Sequence, residues 1–187
     1  MKTNFLKSIR LTLVLIVVLC VIYPVMITLA GKLSKGAGDG ETISVNGKVV
    51  GYANVGQSFT KPLYFWGRPS AVAYNAAGSG GSNKGPSNPD YLKDVAKRID
   101  TLLKYHPYLK RSDIPAEMVT ASGSGLDPDI SPEAARIQVK RVAQYRNLSE
   151  QRVAALLAAH IEEPLLGLFG PAKVNVLKLN VALDELK

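Results

Sequence analysis

The sequence predicts an α+β fold, with one N-terminal transmembrane helix followed by a compact extracytoplasmic α+β domain. Three observations carry this. Leu11 to Ala30 is a run of twenty residues without a charge. Strand-type segments stand near both ends of the remaining chain, at residues 43–50 and 173–177. Between them lie stretches with helix caps and apolar side chains at helical spacing.

At 1.5 Å per residue the apolar run covers the roughly 30 Å hydrocarbon core of a bilayer. Thirteen of its residues are Leu, Ile or Val, and together they favour insertion by roughly 4 to 8 kcal/mol. Pro24 lacks a backbone donor, which predicts a kink at Tyr23 and Pro24 rather than a break. Lys2, Lys7 and Arg10 precede the run with no acidic residue beside them, whereas Lys32 and Lys35 after it stand against Asp39. The excess of basic residues on the first flank predicts a cytoplasmic N-terminus and an extracytoplasmic C-terminal domain. A cleaved signal peptide shares this layout, but its apolar core runs only about 7 to 15 residues. The expected division is a basic cytoplasmic N-terminus over 1–10, the membrane helix over 11–30, a connector over 31–42 and the α+β domain over 43–187.

Cys20, the only cysteine, lies inside the span, so the outer domain has no disulfide and depends on packing. The net charge of +8 includes three positive charges before the span, and the remainder is spread without basic clusters. That distribution suits a solvated surface and argues against nucleic acid as a partner.

Asn46-Gly47 between strand-type residues predicts a two-residue hairpin, because both turn positions need positive φ. Pro62 to Trp66 is expected to add a short aromatic strand, and the Gly-, Ser- and Asn-rich stretch from Asn75 to Asn88 reads as a loop. Asn88 then caps a helix over 89–105, with Pro89 at its first position and Leu92, Val95, Ile99 and Leu102 or Leu103 inward. Ser131-Pro132 opens a second helix, whose buried side is expected to hold Ala134, Ile137, Val142 and Tyr145. A third starts around Asn147 to Glu150 and runs to Pro164, with Val153, Leu156, Leu157, His160 and Ile161 inward. Lys173 to Leu177 reads as a strand, and Leu179 to Leu186 as a closing helix.

Motifs for chemistry are missing from this pattern. There is no phosphate loop and no zinc-type histidine pair, and the two histidines read as a core residue (His160) and a helix C-terminal partner (His106). Ser122-Gly123-Ser124-Gly125 departs from the hydrolase nucleophile elbow at its first position and reads as a tight turn. Gly78 to Asn83 offers backbone N–H groups to an anion but reads better as an interface loop. Asp127 and Glu162-Glu163 read as isolated carboxylates, so no catalytic residue and no metal ligand is assigned.

Several runs together carry a family resemblance: Tyr23-Pro24 in the span, Tyr64-Phe65-Trp66-Gly67-Arg68-Pro69-Ser70, Tyr74-Asn75, Ser79-Gly80-Gly81-Ser82-Asn83, the run from Val119 to Pro128, Ile130-Ser131-Pro132 and Val174-Asn175-Val176-Leu177. In order and spacing the chain resembles the C subunit of bacterial Kdp-type potassium-transporting ATPases. The resemblance implies a non-catalytic accessory subunit of a high-affinity potassium uptake complex in the bacterial plasma (inner) membrane. Its partners would be a channel-like, potassium-binding A subunit, a P-type ATPase B subunit, a small F subunit and membrane lipid. ATP and potassium would be handled by those partners, with no cofactor held by this chain. The implied role is assembly and stabilisation, together with raised nucleotide affinity of the B subunit. With the derived topology, that second effect has to be indirect. Arg68, Tyr74, Asn75, Ser82 and Asn83 are the candidate subunit-interface residues, an arginine and an aromatic beside adaptable polar groups. The alternative is a membrane-anchored extracytoplasmic small-molecule-binding protein or hydrolase acting alone.

Overall fold

The computed structural model describes residues 2–186. They form two compact units, one ending at Thr42 and the other beginning at Ile43. The first is a continuous helical rod made of α1 (Lys2–Val17), a π turn (Val18–Ile22) and α2 (Tyr23–Gly31). Asn4–Gly31, 28 residues, is long and apolar enough to cross a membrane, and none of it is buried within the protein. The wide turn comes immediately before Pro24. A proline there has no N–H to offer and its ring crowds the carbonyl four residues back, and a π turn opens the ladder at that point. Tyr23 N–H reaches the Val18 carbonyl instead, and the helix continues.

The second unit opens with the hairpin β1 (Thr42–Val45) and β2 (Lys48–Tyr52). Asn46 and Gly47 take φ of 50° and 76°, as the two-residue turn requires. A long loop leads to α3 (Pro89–Tyr105), where the Asn88 side chain accepts from the Asp90 and Tyr91 amides at 3.1 and 3.0 Å. Two single 3₁₀ turns come next, and then β3 (Asp129–Ile130), α4 (Pro132–Arg136), α5 (Val139–Arg146), α6 (Glu150–Ala159), β4 (Ile161–Glu162), β5 (Lys173–Asn175) and α7 (Val176–Glu185). The three short strands make an antiparallel sheet in the order β3-β5-β4, with Val174 of β5 opposite both Ile130 and Ile161. Against it pack α4 and α7, with α6 lying on both of them, around a core of Phe65, Ile130, Ala134, Val142, Val153, Val174, Leu179 and Leu183. The arrangement is α+β.

Several elements differ from their sequence reading, each for a tertiary reason. Pro62 to Trp66 forms no strand, because side chains rather than a neighbouring strand hold its backbone. The helix opened by Ser131 breaks at Ile137-Gln138. The Gln138 side-chain amide donates to the Ala134 carbonyl at 3.0 Å, and its backbone N–H takes the Ala135 carbonyl instead. Leu92 and Tyr145 are half-exposed rather than inward. The third helix stops at Ala159, and Ile161 pairs with Val174 in the sheet. Val176 and Leu177 belong to α7 because the Asn175 side chain caps that helix through the Lys178 amide at 3.0 Å.

Candidate functional site

The segment from Pro62 to Trp66 leads directly into Arg68, and it is anchored by long polar side chains. Asn180 accepts from the Phe65 amide at 2.9 Å and donates to the Phe65 carbonyl at 3.0 Å. Gln138 does the same for Trp66, at 2.7 and 3.1 Å. Each amide therefore takes both backbone groups of one residue, as an adjacent strand would. Arg146 adds a hydrogen bond from Nε to the Leu63 carbonyl at 2.9 Å and an ion pair with Asp184 at 2.6 Å.

At the centre of this grip Arg141 is fully buried, with no carboxylate paired to it among the described residues. Its donors reach the Pro62 carbonyl, the Tyr64 carbonyl at 3.0 Å, Gln138 Oε1 at 2.7 Å and His106 Nε2 at 2.9 Å. The guanidinium carbon also lies 4.1 Å from the Trp66 ring centroid. His106 Nδ1 contacts the Leu102 carbonyl at 2.7 Å, so Nδ1 carries the proton and Nε2 presents a lone pair to Arg141. Burial, reinforced by the Arg141 charge and opposed by the Leu102 carbonyl, pulls the His106 pKa down to about 4. Burial also lowers Arg141 to about 10, with Tyr108 and Tyr145 opposing, and leaves it charged at neutral pH.

Beyond Trp66, two loops distant in sequence interlock. The Ser70 hydroxyl donates to the Gly125 carbonyl at 2.6 Å and accepts from the amides of Val72 and Tyr74 at 3.2 and 2.9 Å. This holds Ala73 and Tyr74 at φ of 51° and 57°, a conformation uncommon for side-chain-bearing residues and therefore strained. The Tyr74 hydroxyl turns back to donate to the Arg68 carbonyl at 2.5 Å. Burial first, and then the charge of Asp127, raise the Tyr74 pKa. Arg68 pairs with Asp127 at 3.0 Å, while its Nε is buried without a partner among the described residues. Ser79 and Gly80 bond the Ser124 carbonyl at 2.9 and 2.8 Å.

Gly56 sits under this junction, and a Cβ there would come within 2.4 Å of the Asp127 carbonyl oxygen and 2.8 Å of the Tyr74 ring. Gly56→Ala is accordingly expected to cost about 1–3 kcal/mol and to loosen the Arg68–Asp127 pair. Denaturant unfolding of the full chain in detergent checks the first. A rise in proteolytic cutting near Tyr74 checks the second.

A cleft of about 530 Å³ opens beside the junction, lined among others by Phe59, Trp66, Arg68, Tyr74, Lys97, Arg98 and Tyr105. Three cations and four aromatic rings line it, a composition suited to recognising an anionic or aromatic surface. Among the described residues no group of three or more His, Cys, Asp or Glu is placed to hold a metal. His106 is committed to Arg141, and His160 Nδ1 to the Leu156 carbonyl at 2.8 Å. These side chains hold the backbone of this region in shape.

Of the residues singled out from sequence, Arg68 and Tyr74 are brought together. Asn75 comes next on the exposed side, its Oδ1 accepting from the Ala77 amide at 3.0 Å. Ser82 and Asn83 stay exposed in the glycine-rich loop, and no side-chain partner is found for either among the described residues. Asp127 is not the isolated carboxylate the sequence suggested, since it pairs with Arg68. Glu162 likewise reaches Lys173 and Lys178, at 3.7 and 3.6 Å. Sequence reasoning assigned no role to Gln138, Arg141 or Asn180. The available signal was polar residues interrupting apolar helix faces, Gln138 and Arg141 between Ala134 and Val142, and Asn180 between Leu179 and Leu183.

Known proteins resemble this chain along nearly its whole length. A family described as KdpC, K+-transporting ATPase, c chain, matches residues 5–185. A potassium-transporting ATPase KdpC subunit from Flavobacterium johnsoniae is 61% identical over 184 residues, covering 98% of this chain and 99% of the relative. Proteins of the same name from Phocaeicola vulgatus and Citrifermentans bemidjiense are 55% and 47% identical, covering 98% and 96% of this chain and 99% and 98% of the relatives.

Proposed function

From the premise that the chain belongs to the KdpC family, the c chain of the K+-transporting ATPase, we propose that it is a non-catalytic accessory subunit which assembles and stabilises the other subunits. In this reading its apolar helix packs beside the helices of its partners in the plasma membrane, with the N-terminus cytoplasmic. The α+β domain, outside the membrane, presents the Arg68–Tyr74 junction to the channel-like A subunit. The P-type B subunit handles ATP and the A subunit handles potassium, while a small F subunit completes the complex. Any influence on nucleotide affinity travels indirectly, through the membrane helix or the A subunit.

The observation that carries this reading is the junction itself. Ser70, Tyr74, Arg68, Asp127 and Gly125 are locked by hydrogen bonds into one rigid, strained surface. No nucleophile with an adjacent base accompanies it among the described residues. Rigid display of arginine and aromatic groups lowers the ordering cost of association.

Tagging the C-terminus and purifying in mild detergent from potassium-limited cells is expected to bring down a stoichiometric P-type ATPase with potassium-stimulated activity. Replacing Tyr74 and Asn75 together by alanine should cut that co-purification several-fold, on the scale of a contact worth roughly 1–2 kcal/mol. Unchanged recovery and unchanged potassium uptake would remove both residues from the interface. The cleft lined by Arg68, Lys97 and Arg98 favours a second reading, a membrane-anchored binding protein acting alone. A lone chain in the same purification that bound an organic anion would support it.

A further inference from the structure

A short hairpin projects between β4 and β5. The nine residues from Pro164 to Ala172, PLLGLFGPA, contain no polar side chain. Leu165, Leu166, Leu168 and Phe169 are 70%, 81%, 81% and 63% exposed. Four large apolar side chains presented within five residues are a patch that water does not favour.

The backbone of this tip is largely satisfied from within. Leu165 and Phe169 exchange both N–H to carbonyl bonds at 3.0 Å, Gly167 N–H reaches the Pro164 carbonyl at 2.8 Å, and Leu168 N–H reaches the Leu165 carbonyl at 3.2 Å. Apolar surroundings penalise unpaired amides most, and here four of the five tip amides are already paired. On leaving water the hairpin therefore gives up the solvation of only one tip amide, that of Leu166, together with the outward carbonyls of Leu166, Gly167 and Leu168 at the turn, groups that the polar headgroup layer can satisfy.

We infer that the Leu165–Phe169 tip enters the surface of the lipid bilayer that the chain's own N-terminal helix crosses. Three features favour lipid over a protein partner. The tip carries Leu and Phe but none of the Tyr, Trp or Arg that anchor protein interfaces, and apolar side chains of this kind partition into the acyl boundary. Only ten residues separate α2 from β1, about 33 Å when extended. A domain of this size has a radius of gyration of about 15 Å, so the tether keeps a bilayer within reach at high effective concentration. At the base of the hairpin Lys173 and Lys178 stand against three carboxylates, since Lys173 pairs with both Asp129 and Glu162, Lys178 pairs with Glu162, and Glu163 is exposed. That residual negative charge suits a zwitterionic surface rather than an anionic one. None of this depends on which side of the membrane the domain occupies, or on the identity of the other subunits.

The test uses the full chain carrying Cys20→Ser and Leu168→Cys, labelled with a nitrobenzoxadiazole fluorophore in phosphatidylcholine nanodiscs that contain nitroxide-labelled lipid. The control label sits at Arg111→Cys, an exposed position elsewhere on the domain. Quenching at 168 is expected to exceed that at 111 at least three-fold, and Leu166→Asp in the same background should remove most of the difference. Equal quenching at the two positions overturns the inference, as does a difference that survives Leu166→Asp. In the assembled complex, a label at 168 shielded from aqueous iodide but not quenched by nitroxide lipid would mean that a protein covers the tip, and would overturn it too.

Discussion

Arg141→Ala is expected to destabilise the folded domain by about 3–5 kcal/mol, enough to lower the unfolding temperature on the order of 10 °C. The substitution strands several buried acceptors at once, the carbonyls of Pro62 and Tyr64 and the Nε2 of His106, and opens a cavity against Trp66. Arg141→Lys keeps the charge but has neither the planar fork nor the stack on the indole, so it should recover only part of the loss. Thermal and denaturant unfolding of the full chain in detergent measure both. A change below about 1 kcal/mol for the alanine variant would mean that the 62–66 segment holds without this cation. Such a segment would owe its position to Asn180, Gln138 and Arg146. Because the segment runs into Arg68, loss of Arg141 is also expected to weaken association with partners by disordering the junction.

The second large effect is acid sensitivity centred on His106. The ring is neutral in the folded state with a pKa of about 4, against an ordinary 6.5. A depressed folded pKa means the contribution is fully present above 6.5 and is lost as pH falls toward 4, because the unfolded chain takes up the proton first. The interval corresponds to roughly 3 kcal/mol. A protonated ring would lose its acceptor lone pair and face Arg141 at 2.9 Å with a like charge, with Trp66 and Tyr108 packed on its other sides. Unfolding free energies at pH 7.5 and pH 4.5 should therefore differ by more in the parent than in His106→Gln, whose amide cannot titrate. Parallel pH profiles for the two proteins would place the acid-sensitive group elsewhere.

What was legible in the sequence was what a few neighbouring residues decide among themselves. Asn46-Gly47 satisfies its turn locally, and Asn88-Pro89, Ser131-Pro132 and Ser149 each start a helix through a cap. Where a side chain competes from a distance, the local reading fails. Gln138 interrupts its own helix because its amide is drawn to Trp66, 72 residues away, and Pro62–Trp66 forgoes a strand for the same reason. Arg68 and Tyr74 were visible as an arginine and an aromatic in one loop. Asp127, 59 residues further on, could not be matched to Arg68 without the fold, and neither could the return of the Tyr74 hydroxyl to the Arg68 carbonyl. The burial of Arg141 was equally hidden, since an arginine on a helix face is usually solvated.

The π turn in the membrane helix changes how its faces line up. In a regular helix the side chain above Val18 would be Ile22; across the wide turn it is Tyr23, whose amide meets the Val18 carbonyl. A stripe traced from Leu11 in steps of three and four thus slips by one residue at Val18, and the two halves of the span address different directions than a regular helical projection would give them. A neighbouring helix that touches both halves must track the dislocated stripe. Forcing the turn into regular α geometry with no deletion would swing the N-terminal half by about 100° about the axis, misaligning one half of the span with any neighbour matched to the other, whereas deleting one residue between Val18 and Ile22 would remove the wide turn and leave both faces aligned.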